Sequence, residues 1–235
     1  MDTRYQVEVI NIVDETKNVK TFRFKVDKNF QFLPGQFVFL YVNIEGKEVK
    51  RPYSIGSSPK NKENVELTLE LVPGGLLTSF FHNFVKIGDK FEISQAQGSF
   101  IYTDEIKEIV LIAGGSGIVP MRSIIKYCID KNLDTKINLF YSAKTFDDII
   151  YRDDLFELGN KSNIKIFLTL TREVTNKWDG LTGRISIDML LDNLNRFEQL
   201  TYYLCGPMNM VRTLAKNLKE KDIKRQQIKR ELWGI

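Results

Sequence analysis

The stretch Gly114-Gly115-Ser116-Gly117-Ile118-Val119-Pro120 directly follows the apolar run Ile109-Val110-Leu111-Ile112-Ala113. A buried strand that enters a glycine turn and opens a helix can cradle a nucleotide phosphate. The glycines let backbone approach a pyrophosphate, and the helix N-terminus offers free N–H groups at the positive end of its dipole. From Gly115 the turn reads G-x-G-x-x-P, with Pro120 where the common dinucleotide fingerprint has its third glycine. Proline suits the first turn of a helix, where its missing N–H is not needed. Alone, such a turn also fits ordinary strand–turn–helix punctuation. Its meaning depends on what surrounds it.

Two clusters precede it. In Arg51-Pro52-Tyr53-Ser54, near the end of a predicted strand, the arginine offers a planar fork of donors suited to a phosphate. The tyrosine two residues later shares its strand face and can lie against a flat ring. The Ser54 hydroxyl can donate to or accept from a ring nitrogen. Gly74-Gly75-Leu76-Leu77-Thr78 opens a short predicted helix over Leu76–Val85, with Thr78 or Ser79 as the expected cap. Its exposed N–H groups form a second anion site, a second grip on the pyrophosphate that Arg51 would hold. His82 lies inside this helix with no acid or nucleophile evident beside it, and is expected to be structural or at a rim.

Downstream, Cys205-Gly206-Pro207-Met208 ends a predicted strand and begins a helix. Ligands of open α/β sheets bind at that edge, so Cys205 is expected at the mouth of the site; the alternative is a small residue in a tight turn. Cys128 lies on an apolar helix face and is expected in the core. The acid that binds ribose hydroxyls about 20 residues past the common glycine loop is missing at Tyr141-Ser142-Ala143-Lys144. Thr171-Arg172 ends a neighbouring strand. A hydroxyl and two cations suit a 2′-phosphate, so Ser142, Lys144 and Arg172 lean the donor towards NADPH, with solvated Lys144 and Arg172 as the alternative.

The elements that must position these residues fall into two patterns. Up to about residue 103 the chain alternates apolar with polar positions, as in Tyr5–Ile10 and Val19–Val26, with a Pro34-Gly35 turn before Phe37–Val42. Val65, Leu67, Leu69 and Leu71 share one strand face, with Glu66, Thr68 and Glu70 on the other. Many short strands with a single helix predict a small antiparallel barrel. Beyond residue 104, apolar strands (Ile137–Tyr141, Ile164–Thr171, Thr201–Cys205) alternate with amphipathic helices. Met121, Ile124, Ile125, Cys128 and Ile129 form one helical face, and Val211, Leu214, Ala215 and Leu218 another. That series predicts a doubly wound parallel sheet. The expected domains are residues 1–103 and 104–235.

Composition narrows the chemistry. With 43% apolar and 27% charged residues the chain reads as a globular protein, and no apolar run approaches the roughly 20 residues of a membrane span. The N-terminus lacks a signal-peptide layout, which makes a cytoplasmic location the expectation. Two cysteines cannot supply the four ligands of a [2Fe–2S] cluster, and one histidine argues against a histidine-rich metal site. Much of the net charge of +4 lies in Lys219–Arg230, which has no aromatics and no nucleic-acid motif. It is read first as a solvated surface and second as a docking face for an acidic protein.

Over nearly its whole length the chain resembles the ferredoxin–NADP reductase family of flavin-dependent oxidoreductases. The resemblance rests on four motifs in the family's order: R-x-Y-S at Arg51–Ser54, the turn at Gly75–Thr78, the turn at Gly114–Pro120, and Cys205-Gly206-Pro207. Pro34-Gly35-Gln36-Phe37 also matches a recurrent turn of the barrel domain. The resemblance implies a six-stranded barrel followed by a nucleotide-binding α/β domain. It implies FAD, with FMN as the alternative. Arg51 would pair with its pyrophosphate, Tyr53 would pack on the isoalloxazine, Ser54 would hydrogen-bond near N5, and Pro52 would belong to the same cofactor-binding stretch. Backbone of Gly75, Leu76, Leu77 and Thr78 would take the remaining phosphate oxygens. Gly114, Gly115, Gly117, Ile118 and Pro120 would hold the pyridine nucleotide, with Cys205 beside the nicotinamide. Glu231 would lie at the flavin–nicotinamide junction, and Trp233 would cover the flavin face or simply anchor the tail. The implied activity is hydride transfer from NAD(P)H to flavin, then electron release to a separate acceptor such as ferredoxin, flavodoxin or an oxygenase component. The alternatives are a free-flavin reductase and an electron-transfer flavin subunit of a larger redox complex.

Overall fold

The structure, a computed structural model, describes residues 3–172 and 178–232. The chain forms two compact units. The first comprises Met1–Tyr102 with Arg122–Asn132, and the second Thr103–Met121 with Leu133–Ile235.

In the first unit, β1 (Arg4–Thr16), β2 (Val19–Lys25), β3 (Phe37–Ile44), β4 (Lys47–Ser54), β5 (Asn64–Glu70) and β6 (Lys90–Ser94) form one antiparallel sheet in the order β4-β3-β6-β1-β2-β5. Helix α1 spans Leu76–Phe84. The two ends of the sheet meet just past β4. Ile55 bridges to Leu67, and the Gly56 N–H donates to the Glu66 carbonyl at 2.8 Å, which closes the sheet on itself. The turns are dictated locally. Ile44 pairs with Lys47 across Glu45-Gly46, both at positive φ (52° and 79°), as a two-residue hairpin requires. At Leu33-Pro34-Gly35-Gln36 the Gln36 N–H returns to the Leu33 carbonyl, and Gly35 takes φ 100°, the geometry of a type II turn.

The barrel is filled by aromatic and aliphatic side chains, and α1 adds Leu77 and Phe81 to them. Phe81 meets the Phe22 ring edge-on at 5.0 Å and the Phe91 ring at 4.8 Å. Strand β5 departs from simple alternation. Val65, Leu67 and Leu69 face the core as the pattern requires, yet Glu66 and Thr68 on the opposite face are buried too. The Thr68 and Thr21 hydroxyls share a hydrogen bond of 2.8 Å, and Glu66 is paired with arginines.

The second unit carries β7 (Glu108–Gly114), β8 (Lys136–Ala143), β9 (Ile164–Leu170), β10 (Leu181–Thr182), β11 (Thr201–Gly206) and β12 (Ile228–Leu232), all parallel, in the order β10-β9-β8-β7-β11-β12. The connecting helices are α2 (Ile118–Asp130), α3 (Arg152–Leu158), α4 (Ile187–Asn193) and α5 (Met208–Glu220). From Arg122 onwards α2 counts with the first unit. Strands β8 to β10 lie on one side of β7, and β11 and β12 on the other. The carboxyl ends of β7 and β11 are therefore the switch point at which open α/β sheets bind ligands.

The expected two-part architecture is the one observed. The basic stretch Lys219–Arg230 is only partly the solvated surface expected. Ile223 and Ile228 within it are buried, and its end begins edge strand β12. Among the described residues no helix is long and apolar enough to cross a membrane.

Because Phe81 is fully buried and joins α1 to the barrel core, Phe81→Ala is expected to cost about 3–5 kcal/mol. A denaturant titration followed by circular dichroism reads this as a fall in midpoint; an unchanged midpoint would show that the ring does not anchor the helix.

Candidate functional site

In the first unit the chemistry gathers where β4 ends. Register pairs Leu40 with Arg51 and Val38 with Tyr53, so the two side chains share one face of β4. Pro52 is tolerated because β4 is the end strand of the hydrogen-bonded order. The Arg51 guanidinium is exposed, with Nη1 donating to the Lys50 carbonyl at 2.8 Å. Tyr53 is half-buried against the barrel core. Burial pushes its phenol well above the ordinary range, against the opposing pull of Arg51, so it stays neutral. Ser54 is buried.

Helix α1 lies against β3 and β4. Its cap is Gly75, with no side-chain cap and no acid in the first turn. This corrects the expected Thr78 or Ser79 cap. The Thr78 hydroxyl folds back onto the preceding turn, accepting from the Val72 N–H at 3.2 Å and lying 3.3 Å from the Gly75 carbonyl, to which it donates. Ser79 is already in the helical ladder through the Gly75 carbonyl. The first N–H groups, at Leu76, Leu77 and Thr78, are left at the positive helix end for an anion. A Cβ on Gly75 would lie 2.6 Å from Thr78 Oγ1 and 3.0 Å from the Val72 carbonyl oxygen, so a side chain there would displace the Thr78 hydroxyl. An exposed guanidinium and an uncapped helix start suit the phosphates of FAD. His82 is structural, with Nε2 3.0 Å from the Leu69 carbonyl oxygen.

In the second unit Gly114 ends β7, Gly115–Gly117 makes a 3-10 turn, and α2 follows with Ile118 and Pro120 buried in its first turn. Gly115 has φ 54° and open space where a Cβ would stand. The neighbouring glycines are pressed against the end of β11. A Cβ on Gly117 would overlap the Cys205 carbonyl, and one on Gly206 would lie 2.9 Å from the Gly114 backbone. A Cβ on Gly114 would sit 3.0 Å from Pro207 Cδ and Met210 Sδ. Pro207 caps α5 and Met208 is its first residue. A glycine turn this close to the sheet, with one open glycine, fits a dinucleotide phosphate.

Cys205 sits at the expected edge of the sheet, in register with Ala113 on one side and Glu231 on the other. Its side chain is fully buried rather than open at a mouth. Glu231 is half-buried on β12. Cys128 is buried, as expected of a core residue. Ser142 pairs in register with Gly114 and Thr169. Beyond it, the Arg172 N–H donates to the Lys144 carbonyl at 2.9 Å, and both side chains are exposed. Of the two acids that follow in sequence, Asp147 is exposed and Asp148 is turned back to cap Thr145. Trp178 donates from Nε1 to the Leu181 carbonyl and packs on Phe146, giving the Trp178–Arg184 stretch a structural role. Trp233 lies outside the described residues.

One cluster escaped the sequence reading. Glu66 accepts from Arg23 Nε and Nη2 through Oε1, at 2.9 and 2.6 Å, and from Arg122 Nη1 through Oε2. Arg122 Nη1 also donates to the Gly56 carbonyl, two residues past Ser54. Burial works to raise the Glu66 pKa, but Arg122 and Arg23 outweigh it and hold the carboxyl below the ordinary range.

The profile of the oxidoreductase FAD-binding domain matches residues 6–102, and that of the oxidoreductase NAD-binding domain matches residues 111–216. The glycine betaine monooxygenase reductase subunit of Pseudomonas aeruginosa is 30% identical over 87% of this chain, which spans 57% of that relative's length. The flavohem-like FAD/NAD-binding domain of nitric oxide dioxygenase from Vibrio cholerae shares the fold at a TM-score of 0.89 and 22% identity, with all of both chains covered. A ferredoxin NADP+ reductase from Neisseria gonorrhoeae with bound FAD and NADP does so at 0.82 and 23%, over 98% of this chain and 99% of that one.

Glu66→Gln tests the buried charge. A carboxyl whose pKa is depressed on folding contributes stability that is complete above its unfolded value and is lost as pH falls through its folded value. The variant is therefore expected to be about 3 kcal/mol less stable at neutral pH, with the gap narrowing below about pH 4. Denaturant midpoints of both proteins across pH check this; a gap independent of pH would remove the charge from the account.

Proposed function

The chain belongs to the ferredoxin–NADP reductase-like flavoprotein oxidoreductases, and on that premise we propose that it oxidises NAD(P)H on a bound FAD and passes the electrons to a separate acceptor protein. The observation that carries this reading is the pair of anion cradles, one in each unit. The first combines an exposed arginine with an uncapped helix start, and the second is a glycine turn at the switch point of a parallel sheet. FAD supplies a two-electron acceptor that can release its electrons singly.

The residues divide the work by position. Arg51 and the backbone of Gly75–Thr78 hold the FAD phosphates. Tyr53, kept neutral by burial, offers a flat apolar face to the ring system, and Ser54 a hydroxyl to its edge. Gly114, Gly115, Gly117 and Ile118 receive the pyridine nucleotide over the end of β7. Cys205, Gly206 and Glu231, side by side across β11 and β12, shape the nicotinamide end. Hydride transfer needs alignment and exclusion of water more than an acid or base. A buried Cys205 suits that need. We take residues 1–103 as the FAD domain and 104–235 as the nucleotide domain. A reaction that draws on NAD(P)H belongs with that pool, in the cytoplasm.

Two finer assignments belong to the same reading. Exposed Lys144 and Arg172 beside Ser142 favour a 2′-phosphate and hence NADPH. The exposed cations at Lys219, Lys221, Lys224, Arg225 and Arg230 favour an acidic face on the acceptor. The relative from Pseudomonas aeruginosa is a monooxygenase reductase subunit, which makes an oxygenase component the acceptor we favour.

Anaerobic mixing of the flavin-loaded protein with each donor at equal, low concentration tests the reading. Flavin absorbance is expected to bleach at least about tenfold faster with NADPH than with NADH, the worth of one lost charge-assisted hydrogen bond. Equal rates would remove Lys144 and Arg172 from donor selection, and no bleaching with either donor would sink the proposal. A colourless protein that oxidises NAD(P)H only when flavin is added would instead make flavin a substrate. Arg51→Ala is expected to weaken FAD binding about tenfold or more and to purify with little colour. Full flavin occupancy would take Arg51 out of the phosphate site.

A further inference from the structure

Past Ile55 the ladder of the barrel stops, and the chain leaves the sheet with two buried residues, Gly56 and Ser57. Their carbonyls are not taken by strands. Arg122 Nη1 donates to the Gly56 carbonyl at 2.9 Å, and the Ser123 hydroxyl donates to the Ser57 carbonyl at 2.7 Å. The same short segment is held from the other side by β5. The Gly56 N–H donates to the Glu66 carbonyl, and the Glu66 N–H donates to the Ser57 hydroxyl at 3.1 Å. The peptide that follows Ser54 is thus clamped between β5 and two consecutive side chains of α2.

Neutralising Glu66 does not by itself account for Arg122. Arg23 already supplies two donors to one carboxylate oxygen. Arg23 is half-exposed, whereas the Arg122 side chain is only 11% accessible and its Nη1 is shared between the carboxylate and the Gly56 carbonyl. A guanidinium desolvated to that degree and divided between an ion pair and a main-chain acceptor fixes the position of both. The carboxylate in turn orients the guanidinium.

We propose that Arg122 is a positioning residue for the Arg51–Ser54 motif. Through the Gly56 carbonyl and Glu66 it sets the backbone that carries Ser54, and so the fit of the motif to flavin. The assignment rests on the reading of that motif as the flavin site.

The test separates positioning from charge pairing. Removing Arg122 alone leaves Glu66 buried with less compensation, so loss of stability would say little. Replacing both partners, as Arg122→Met with Glu66→Gln, removes the charge imbalance, and such exchanges of buried pairs are often close to neutral for stability. The double variant of the full chain is expected to melt near the wild-type temperature. It is expected to bind FAD about tenfold more weakly in a fluorescence titration, as loss of an alignment worth one hydrogen bond implies. The visible band of the bound flavin should also be altered. FAD affinity and spectrum equal to wild type would overturn the proposal and leave Arg122 as a partner of Glu66 only. If the double variant does not fold, Arg122→Lys decides by the same two readouts, since it keeps the charge but its shorter stem does not carry a donor to the place where Nη1 meets both acceptors. Wild-type protein that takes up no FAD would overturn the flavin reading and this assignment with it. Wild-type binding with an unaltered variant would overturn only the role of Arg122.

Discussion

The carboxylate of Glu66 is the interaction on which the order of the first unit turns. A charge on the outward face of a barrel strand normally stays in water. Here it is buried, and it must be met by cations and hydrogen bonds or be driven neutral. Arg23 meets it from β2 and Arg122 from α2. The main chain of the same residue accepts the Gly56 N–H that closes the sheet. Closure of the barrel, the course of the chain after Ser54 and the seating of α2 all pass through one residue of β5.

The two units solve the same physical problem by different means. An anion bound by backbone needs N–H groups that have no internal partner and a surface it can approach. The first unit leaves them at the start of α1, where Gly75 provides no side-chain cap and no acid competes. The second brings its turn close to the sheet by removing side chains. Gly117 lies against the Cys205 carbonyl, and Gly206 against the backbone of Gly114. Cys205 is buried beside that turn.

Much of this was legible in the sequence because it is local. Alternation marked the barrel strands, and 3.6-residue periodicity marked the buried faces of α2 and α5, including Cys128. The glycine turns had to be glycine for steric reasons that a dipeptide already carries, as at Glu45-Gly46 and Pro34-Gly35. The order Arg51–Ser54, Gly75–Thr78, Gly114–Pro120 and Cys205–Pro207 carried the resemblance to the ferredoxin–NADP reductase family, and that resemblance implied a flavin and a pyridine nucleotide. Short or polar elements such as β6, β10, β12, α3 and α4 gave weaker signals. In β12 the run of charges at Lys229, Arg230 and Glu231 hid an edge strand with a single buried anchor, Ile228.

What tertiary structure alone decided are the facts that depend on partners distant in the chain. Alternation placed Glu66 on a polar face but could not say that the face would be covered, because the cover comes from Arg122, 56 residues away. Nor could the Thr78 hydroxyl be assigned to the preceding turn rather than to a cap, since a capping hydroxyl would accept from N–H groups ahead of it in the helix, and only the path of the chain brings the Val72 N–H behind it within reach. Residue types and spacing determined which chemistry the chain can perform. Long-range packing determined which polar groups are desolvated, and therefore which of them must be paired to hold that chemistry in place.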